Sequence, residues 1–312
     1  MSRKIKDYIA IGLKGAAMGA ADVVPGVSGG TIAFISGIYE ELINTINSVN
    51  LSALQLLLKG KFKELWQAIN GNFLLSLVLG IGISFVSLAR VIKYVLENHP
   101  VLLWSFFFGL VIASAITIAA KVTRWDAKVI IGIIIGSIVA YFITEMTPAE
   151  TPTSYWFLFL SGALAICAMI LPGISGSFIL LILGKYEYVI NAVTSLKLDV
   201  LLVVMSGAVV GLLSFSKLLS WLLSKYHNLA IAILSGFMIG SLNKIWPWKQ
   251  VVETFTDRHG KVKPLVEDNI LPNTFQEVTG NDPQVLWAVL LAITGFVLIY
   301  WLEKASNGTE KV

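Results

Sequence analysis

Apolar residues in this chain run on without charge instead of alternating with polar ones. Residues 101–120, 155–184, 200–216 and 283–302 contain no Asp, Glu, Lys or Arg. Apolar runs of about 18 residues or more match the hydrocarbon thickness of a bilayer. The pattern predicts apolar helices over about 5–21, 29–47, 72–96, 101–120 and 128–144. A second series follows over about 155–170, 176–195, 200–223, 228–243 and 284–302. Residues 48–71 read as a longer loop. Residues 244–283, rich in Pro, Asn, Asp and Thr, read as a polar external loop that forms a lid or a small ordered cap.

The two series are copies of one unit. Pro25-Gly26-Val27-Ser28-Gly29-Gly30 recurs as Pro172-Gly173-Ile174-Ser175-Gly176-Ser177, an offset of 147. The match continues through Gly37 and Gly184, Tyr39-Glu40 and Tyr186-Glu187, and Ile43-Asn44 and Ile190-Asn191. Further on, an offset of 127 pairs Gly80 with Gly207, Arg90 with Lys217, Gly109 with Gly236 and Ser114 with Ser241. Pro25, Gly26, Pro172 and Gly173 break the first helix of each copy, because proline lacks a donor and glycine permits positive φ. Irregular backbone at membrane depth persists only where protein or a wet cavity receives it. Each broken pair therefore reads as a re-entrant hairpin, with two full spans as the alternative. A hairpin plus three spans crosses the membrane an odd number of times. The expected fold is an all-α polytopic membrane protein of two inverted-topology repeats, 1–147 and 148–303, with a cytoplasmic tail over 304–312.

Composition agrees. The 312 residues are 56% hydrophobic and 13% charged, against about 25% charged in soluble domains; mean hydropathy is +0.79. A soluble enzyme, a disordered chain and a nucleic-acid binder are excluded. The formal charge of +4 reflects basic loops. Arg3, Lys4, Lys6, Lys59, Lys61, Lys63, Lys121, Arg124 and Lys128 fall in segments predicted inside. Arg90, Lys93, Lys185 and Lys197 fall outside. This bias places both termini in the cytoplasm. Cys167 is the sole cysteine, so no intrachain disulfide forms, and His99, His227 and His259 lack metal-ligand spacing. No cofactor or metal is expected. Asp7 and Lys14 interrupt residues 1–21 too early for a signal core.

The breaks carry the candidate chemistry. Ser28 and Ser175 are good N-caps, and a helix starting after each offers unpaired N–H groups and a partial positive charge. Gly29, Gly30 and Gly176 add no bulk, and Thr31 and Ser177 add hydroxyls. Two such cradles facing each other suit a phosphate; the alternative is tight, packed turns. Ionisable groups in apolar sequence are function or pairing. Arg90 and Lys217 are counter-charges for an anionic substrate or snorkelling cations. Asp22, whose repeat partner is Met169, is a candidate for a coupled proton or cation, or a carboxylate capping a helix start. Glu40 and Glu187, placed at the ends of the second helices, are the other coupling candidates. Lys14 and Lys185 are weaker ones.

The segment Gly19–Asn44, with Asp-Val-Val-Pro-Gly-Val-Ser-Gly-Gly-Thr and Gly-Ile-Tyr-Glu, resembles the bacterial polyprenyl-phosphate (undecaprenyl-phosphate) transporter family, formerly a domain of unknown function. Ile170–Ser177 fits it too. The resemblance implies a bacterial plasma-membrane translocase, not an enzyme, whose partners are the membrane and undecaprenyl phosphate. It would return that carrier from the outer to the inner leaflet for cell-envelope synthesis. Two other functions stay open. Integral membrane undecaprenyl-pyrophosphate phosphatases carry a similar Pro-Gly-x-Ser-Arg-Ser string, but Gly29 and Gly176 stand at the arginine position, which argues for binding without cleavage. An inverted-repeat transporter of a small inorganic anion is the third.

Overall fold

The computed structural model describes residues 3–24, 27–256 and 262–309. In the first half the helices are α1 (Ile5–Asp22), α2 (Gly29–Ile35), α3 (Tyr39–Ser48), α4 (Leu51–Leu58), α5 (Phe62–Ala68), α6 (Gly71–Ser87), α7 (Ala89–Asn98), α8 (Pro100–Ala119) and α9 (Ala127–Glu145). In the second they are α10 (Tyr155–Ile170), α11 (Gly176–Ile182), α12 (Tyr186–Thr194), α13 (Leu198–Lys225) and α14 (His227–Ser241). Strands β1 (Lys249–Thr256) and β2 (Val262–Asn269), then α15 (Pro272–Thr279) and α16 (Val285–Thr309), complete the chain.

Among the described residues, α8, α9, α13 and the helix formed by α14 with its terminal 3-10 turn are long and apolar enough to cross a membrane. Up to six spans result if the bent pairs α5–α6 (72°) and α11–α12 (110°) each count as one. Exposed Leu, Ile, Val and Phe side chains on α6, α9, α13 and α16, such as Val86, Ile134, Leu202 and Leu286, make an outer face suited to lipid and not to water. The result is a mostly helical, multi-pass membrane protein.

Three expected helices are divided, and one expected loop is helical. The predicted helices 29–47 and 176–195 each break in two. Gly37 (φ 74°) and Gly184 (φ 60°) end α2 and α11 in the left-handed region. Gly37 N–H bonds the Phe34 carbonyl and Ile38 N–H the Ala33 carbonyl. Gly184 and Lys185 repeat the pattern on Leu181 and Leu180. These are Schellman stops, which glycine permits without strain. Glu40 and Glu187 therefore begin α3 and α12 instead of ending a longer helix. Each of α2 and α11 has seven residues, a rise of about 10 Å against a hydrocarbon core of about 30 Å. The predicted span 72–96 is interrupted at Leu88, between α6 and the amphipathic α7. The predicted loop 48–71 is instead mostly helical, as α4 and α5; Asn50 caps α4 through its side chain.

The helical fold is interrupted by one ordered insert. β1 and β2 pair antiparallel, Lys249 opposite Asn269 and Thr256 opposite Val262, with a register shift at Val251–Glu253. Trp246, Trp248, Ile270 and Phe275 pack this insert on Val101 of α8 and Ala288 of α16. Trp246 Nε1 donates to the Ile270 carbonyl and Trp248 Nε1 to the Pro283 carbonyl, each at 2.8 Å.

Glycines set how closely the spans approach. Lipid supplies little hydrophobic drive between helices, so small residues and close van der Waals contact hold them. A methyl on Gly80 of α6 would overlap the Gly12 carbonyl of α1, and one on Gly207 of α13 the Phe159 carbonyl of α10. The two contacts are repeat-related: 12 to 159 is 147, and 80 to 207 is 127. Gly136 of α9 likewise abuts the Ile233 carbonyl of α14, and Gly295 of α16 the Phe106 carbonyl of α8. From 106 to 233 is again 127, and from 136 to 295 is 159. The halves also exchange partners: α9 packs on α14, and α16 on α8. Bulk at such a contact forces helices apart at about 1–3 kcal/mol. Gly207→Leu should lower the melting temperature of the detergent-solubilised protein. Gly82→Leu, with open space around its Cβ, should leave that temperature unchanged.

Candidate functional site

The two breaks meet. Ser28 is fully buried, and its Oγ lies 3.0 Å from the Met169 carbonyl and 3.1 Å from the Leu171 carbonyl at the end of α10. Thr31 Oγ1 accepts from Gly173 N–H at 2.9 Å. Gly30 packs so close to the Ile170 carbonyl that a Cβ would lie 2.5 Å from it. Gly173 sits at φ 91° with its Cα facing Ser241, where a side chain would collide with Ser241 Oγ. Glycine is required there by both conformation and space. Pro172 belongs to the same turn. Pro25 and Gly26 lie outside the described residues.

The copies differ in what satisfies their first-turn donors. In the first, the expected unpaired groups are engaged. Asp22 Oδ1 accepts from Gly29 N–H at 2.7 Å, and Ser28 Oγ accepts from Gly30 N–H at 3.0 Å. Thr31 N–H bonds the Ser28 carbonyl. Asp22 is thus a helix-capping carboxylate, with its negative charge at the positive end of α2. In the second copy Met169 stands at the Asp22 position and can accept nothing comparable. Ser175 Oγ pairs with Ser177 Oγ at 2.7 Å, not with the backbone. Among the described residues, the N–H groups of Gly176, Ser177 and Phe178 have no acceptor. Ser177 is exposed, while Ser175 and Gly176 are buried. The second break is the open one.

Other predicted residues lie apart. Arg90 on α7 and Lys217 on α13 are exposed, and among the described residues neither forms a hydrogen bond or ion pair with a break. Glu40 Oε1 lies 3.3 Å from His227 Nε2, and Glu187 is exposed on the first turn of α12. Lys14 Nζ donates to the Ser36 carbonyl and Lys185 Nζ to the Thr151 carbonyl, both at 2.7 Å; both lysines are held by backbone oxygens. One cation escaped the sequence reading. Lys244, in the 3-10 turn Leu242–Ile245, holds its Nζ 4.8 Å from the ring centroid of Phe178, in the first turn of α11. The signal was present: Lys244 directly follows the apolar run 228–243 that carries Ser241.

A family model described as undecaprenyl phosphate translocase-like matches residues 18–263. The chain belongs to that family. A polyprenyl-phosphate transporter of Vibrio cholerae serotype O1 is 44% identical over 304 residues, covering 97% of this chain and 99% of that protein. A polyprenyl-phosphate transporter of Staphylococcus aureus is 33% identical over 253 residues, covering 75% of this chain and 85% of its own length. No solved structure matches. Family and relatives are named as transporters, so the chain is not an enzyme, and the phosphatase alternative falls.

The geometry separates two serines that the sequence made equivalent. Ser28→Ala strands buried carbonyls and the Gly30 N–H, at about 1–3 kcal/mol. Ser175→Ala removes one hydroxyl–hydroxyl contact. Thermal unfolding in detergent should show a clear loss for Ser28→Ala and a much smaller one for Ser175→Ala.

Proposed function

We propose that this protein carries undecaprenyl phosphate, or a related polyprenyl phosphate, from the outer to the inner leaflet of a bacterial plasma membrane for reuse in envelope synthesis. The observation that carries this reading is the contact between two repeat-related breaks, one closed by its own carboxylate and one open. The open break presents free N–H groups with the Ser175 and Ser177 hydroxyls, a set that accepts phosphate oxygens. In the first break, release by Asp22 would free the Gly29 N–H, while Gly30 and Thr31 would also have to leave Ser28. Both termini are cytoplasmic, and the halves are inverted repeats with re-entrant broken helices. The shortness of α2 and α11 and the exchange of partners between halves support that topology.

An isoprenoid tail stays in lipid, so only the phosphate needs a polar route. An open, apolar groove of about 500 Å³ between α1 and α6, lined by Ile5, Ile9, Leu13, Leu79 and Ile83 among others, favours a lipid over a small inorganic anion. It lies along the helix that ends at Asp22. Moving an anion toward a negative interior costs about 2.3 kcal/mol per charge per 100 mV. A proton or cation moving with the phosphate offsets that cost. The Asp22 carboxylate, which accepts from Gly29 N–H at the break, supports Asp22 as the candidate; Glu40 and Glu187 are more remote. Arg90 and Lys217 would serve at the membrane surface.

The test is reconstitution in liposomes with leaflet-specific detection of undecaprenyl phosphate, with and without a pH gradient. Wild-type protein should equilibrate the lipid between leaflets and release no phosphate from undecaprenyl pyrophosphate. Ser177→Leu should insert and fold yet lose transport, because position 177 is exposed at the open break, whereas a Cβ at Gly176 would lie 2.6 Å from the Ala165 carbonyl of α10 and disturb packing. Asp22→Asn should still bind the lipid but lose its response to the gradient. Full transport by Ser177→Leu would sink the assignment of the phosphate to this break.

A further inference from the structure

The helices α4 and α5 occur in the first copy alone. In the second, only Ser195–Lys197 separate α12 from α13; in the first, Val49–Asn70 separate α3 from α6 and contain α4 and α5. Neither helix can span a bilayer. Eight and seven residues rise about 10–12 Å against about 30 Å of hydrocarbon. α5 turns 72° from the axis of α6, so it runs nearly across the direction in which α6 would cross a membrane. The corner between them is fixed. Trp66 Nε1 donates to Asn72 Oδ1 at 2.8 Å, and a Cβ on Gly71 would overlap the Trp66 indole. α4 packs back against α5. The apolar side chains of the pair are nevertheless turned outward. Leu51, Leu54 and Leu58, at i, i+3 and i+7 on one face of α4, are 78%, 49% and 78% exposed. Phe62 and Trp66, at i and i+4 on α5, are exposed as well.

The charges beside these apolar groups are mostly positive. Lys59, Lys61 and Lys63, at the turn between the helices and the start of α5, are all exposed. Glu64 takes Lys61 at 2.8 Å. Among the described residues, Lys59 and Lys63 form no hydrogen bond or ion pair. The start of α1 stands at the same end of the molecule. Arg3 donates to both oxygens of Glu41, at 2.5 and 2.6 Å, and Glu41 accepts from Asn70 Nδ2 at 2.8 Å, just past α5. Lys4 and Lys6 are exposed there, and Asp7 accepts from the Lys4 N–H at 2.7 Å. Water does not suit a face of leucines with Phe and Trp, and hydrocarbon does not suit lysine. The boundary between them suits both, as it does other helices that carry Leu, Phe and Trp with Lys. Anionic headgroups would also give Lys59 and Lys63 the partners they lack in the protein. We infer that α4 and α5 form an in-plane foot that binds anionic phospholipid headgroups through Lys59 and Lys63, in the leaflet at the start of α1. The inference goes beyond the proposed function, because the ligand is the phospholipid of the membrane and not the transported carrier.

The experiment measures amide hydrogen exchange over residues 51–68 of the full-length protein in two kinds of nanodisc. One is phosphatidylcholine alone, and the other an equimolar mixture of phosphatidylcholine and phosphatidylglycerol. A lysine near an anionic surface contributes about 1 kcal/mol, or about five-fold in the opening equilibrium that exchange reads. Wild type should exchange more slowly with phosphatidylglycerol present, by up to about five-fold for each of the two lysines, and added salt should erode the difference. Lys59→Gln with Lys63→Gln should abolish the difference between the two lipids. Lys59→Arg with Lys63→Arg should keep it, and so should Lys93→Gln on α7. Equal wild-type exchange in the two lipids overturns the inference, as does a double glutamine variant that keeps the full slowing. Rapid exchange over 51–68 in both lipids overturns it too, and leaves the apolar face to a soluble partner. No arm contains a polyprenyl phosphate or measures transport, so each of these failures leaves the proposed function standing.

Discussion

A helix break frees backbone donors and acceptors that need partners, and the two breaks supply part of that need to each other. The whole arrangement follows from how those interruptions are satisfied. Continuous helices such as α8 and α14 satisfy themselves, and they form the buried centre. The breaks cannot, so each leans on the other. Ser28 reaches the carbonyls that end α10, and Thr31 reaches the Gly173 amide. Bulk at Gly30 would part them. Two irregular segments far apart in sequence become one buried junction.

Repeat-related glycines bring α1 against α6 and α10 against α13 in the same way. Around the junction the copies diverge. Asp22 and Ser28 occupy the first-turn donors of α2, whereas those of α11 have no acceptor among the described residues.

Much of the scaffold was legible in the chain. The lipid-facing helices follow from charge-free runs, and α10 matches its predicted bounds of 155–170 because nothing local contests the helix. The division of 29–47 and 176–195 was legible in part. Gly37 and Gly184 were visible as a repeat-related pair, but a glycine inside an apolar run stops a helix only if its carbonyls find Schellman partners. The ordered insert was harder to see, since its stability comes from Trp246 and Trp248 packing on α8 and α16.

By itself, the sequence determined that the chain is a helical membrane protein and that a Pro-Gly-x-Ser-Gly string occurs in it twice. Hydrophobic length, repeat spacing and backbone chemistry are local or periodic properties, written in consecutive residues. Only the tertiary structure decided which donors at the breaks are free. Whether Gly29 or Gly176 keeps an open N–H depends on where the Asp22 carboxylate turns. Whether Glu267 has a counter-ion depends on Lys249 across a hairpin. Those are contacts between segments distant in the chain, and no spacing rule fixes them.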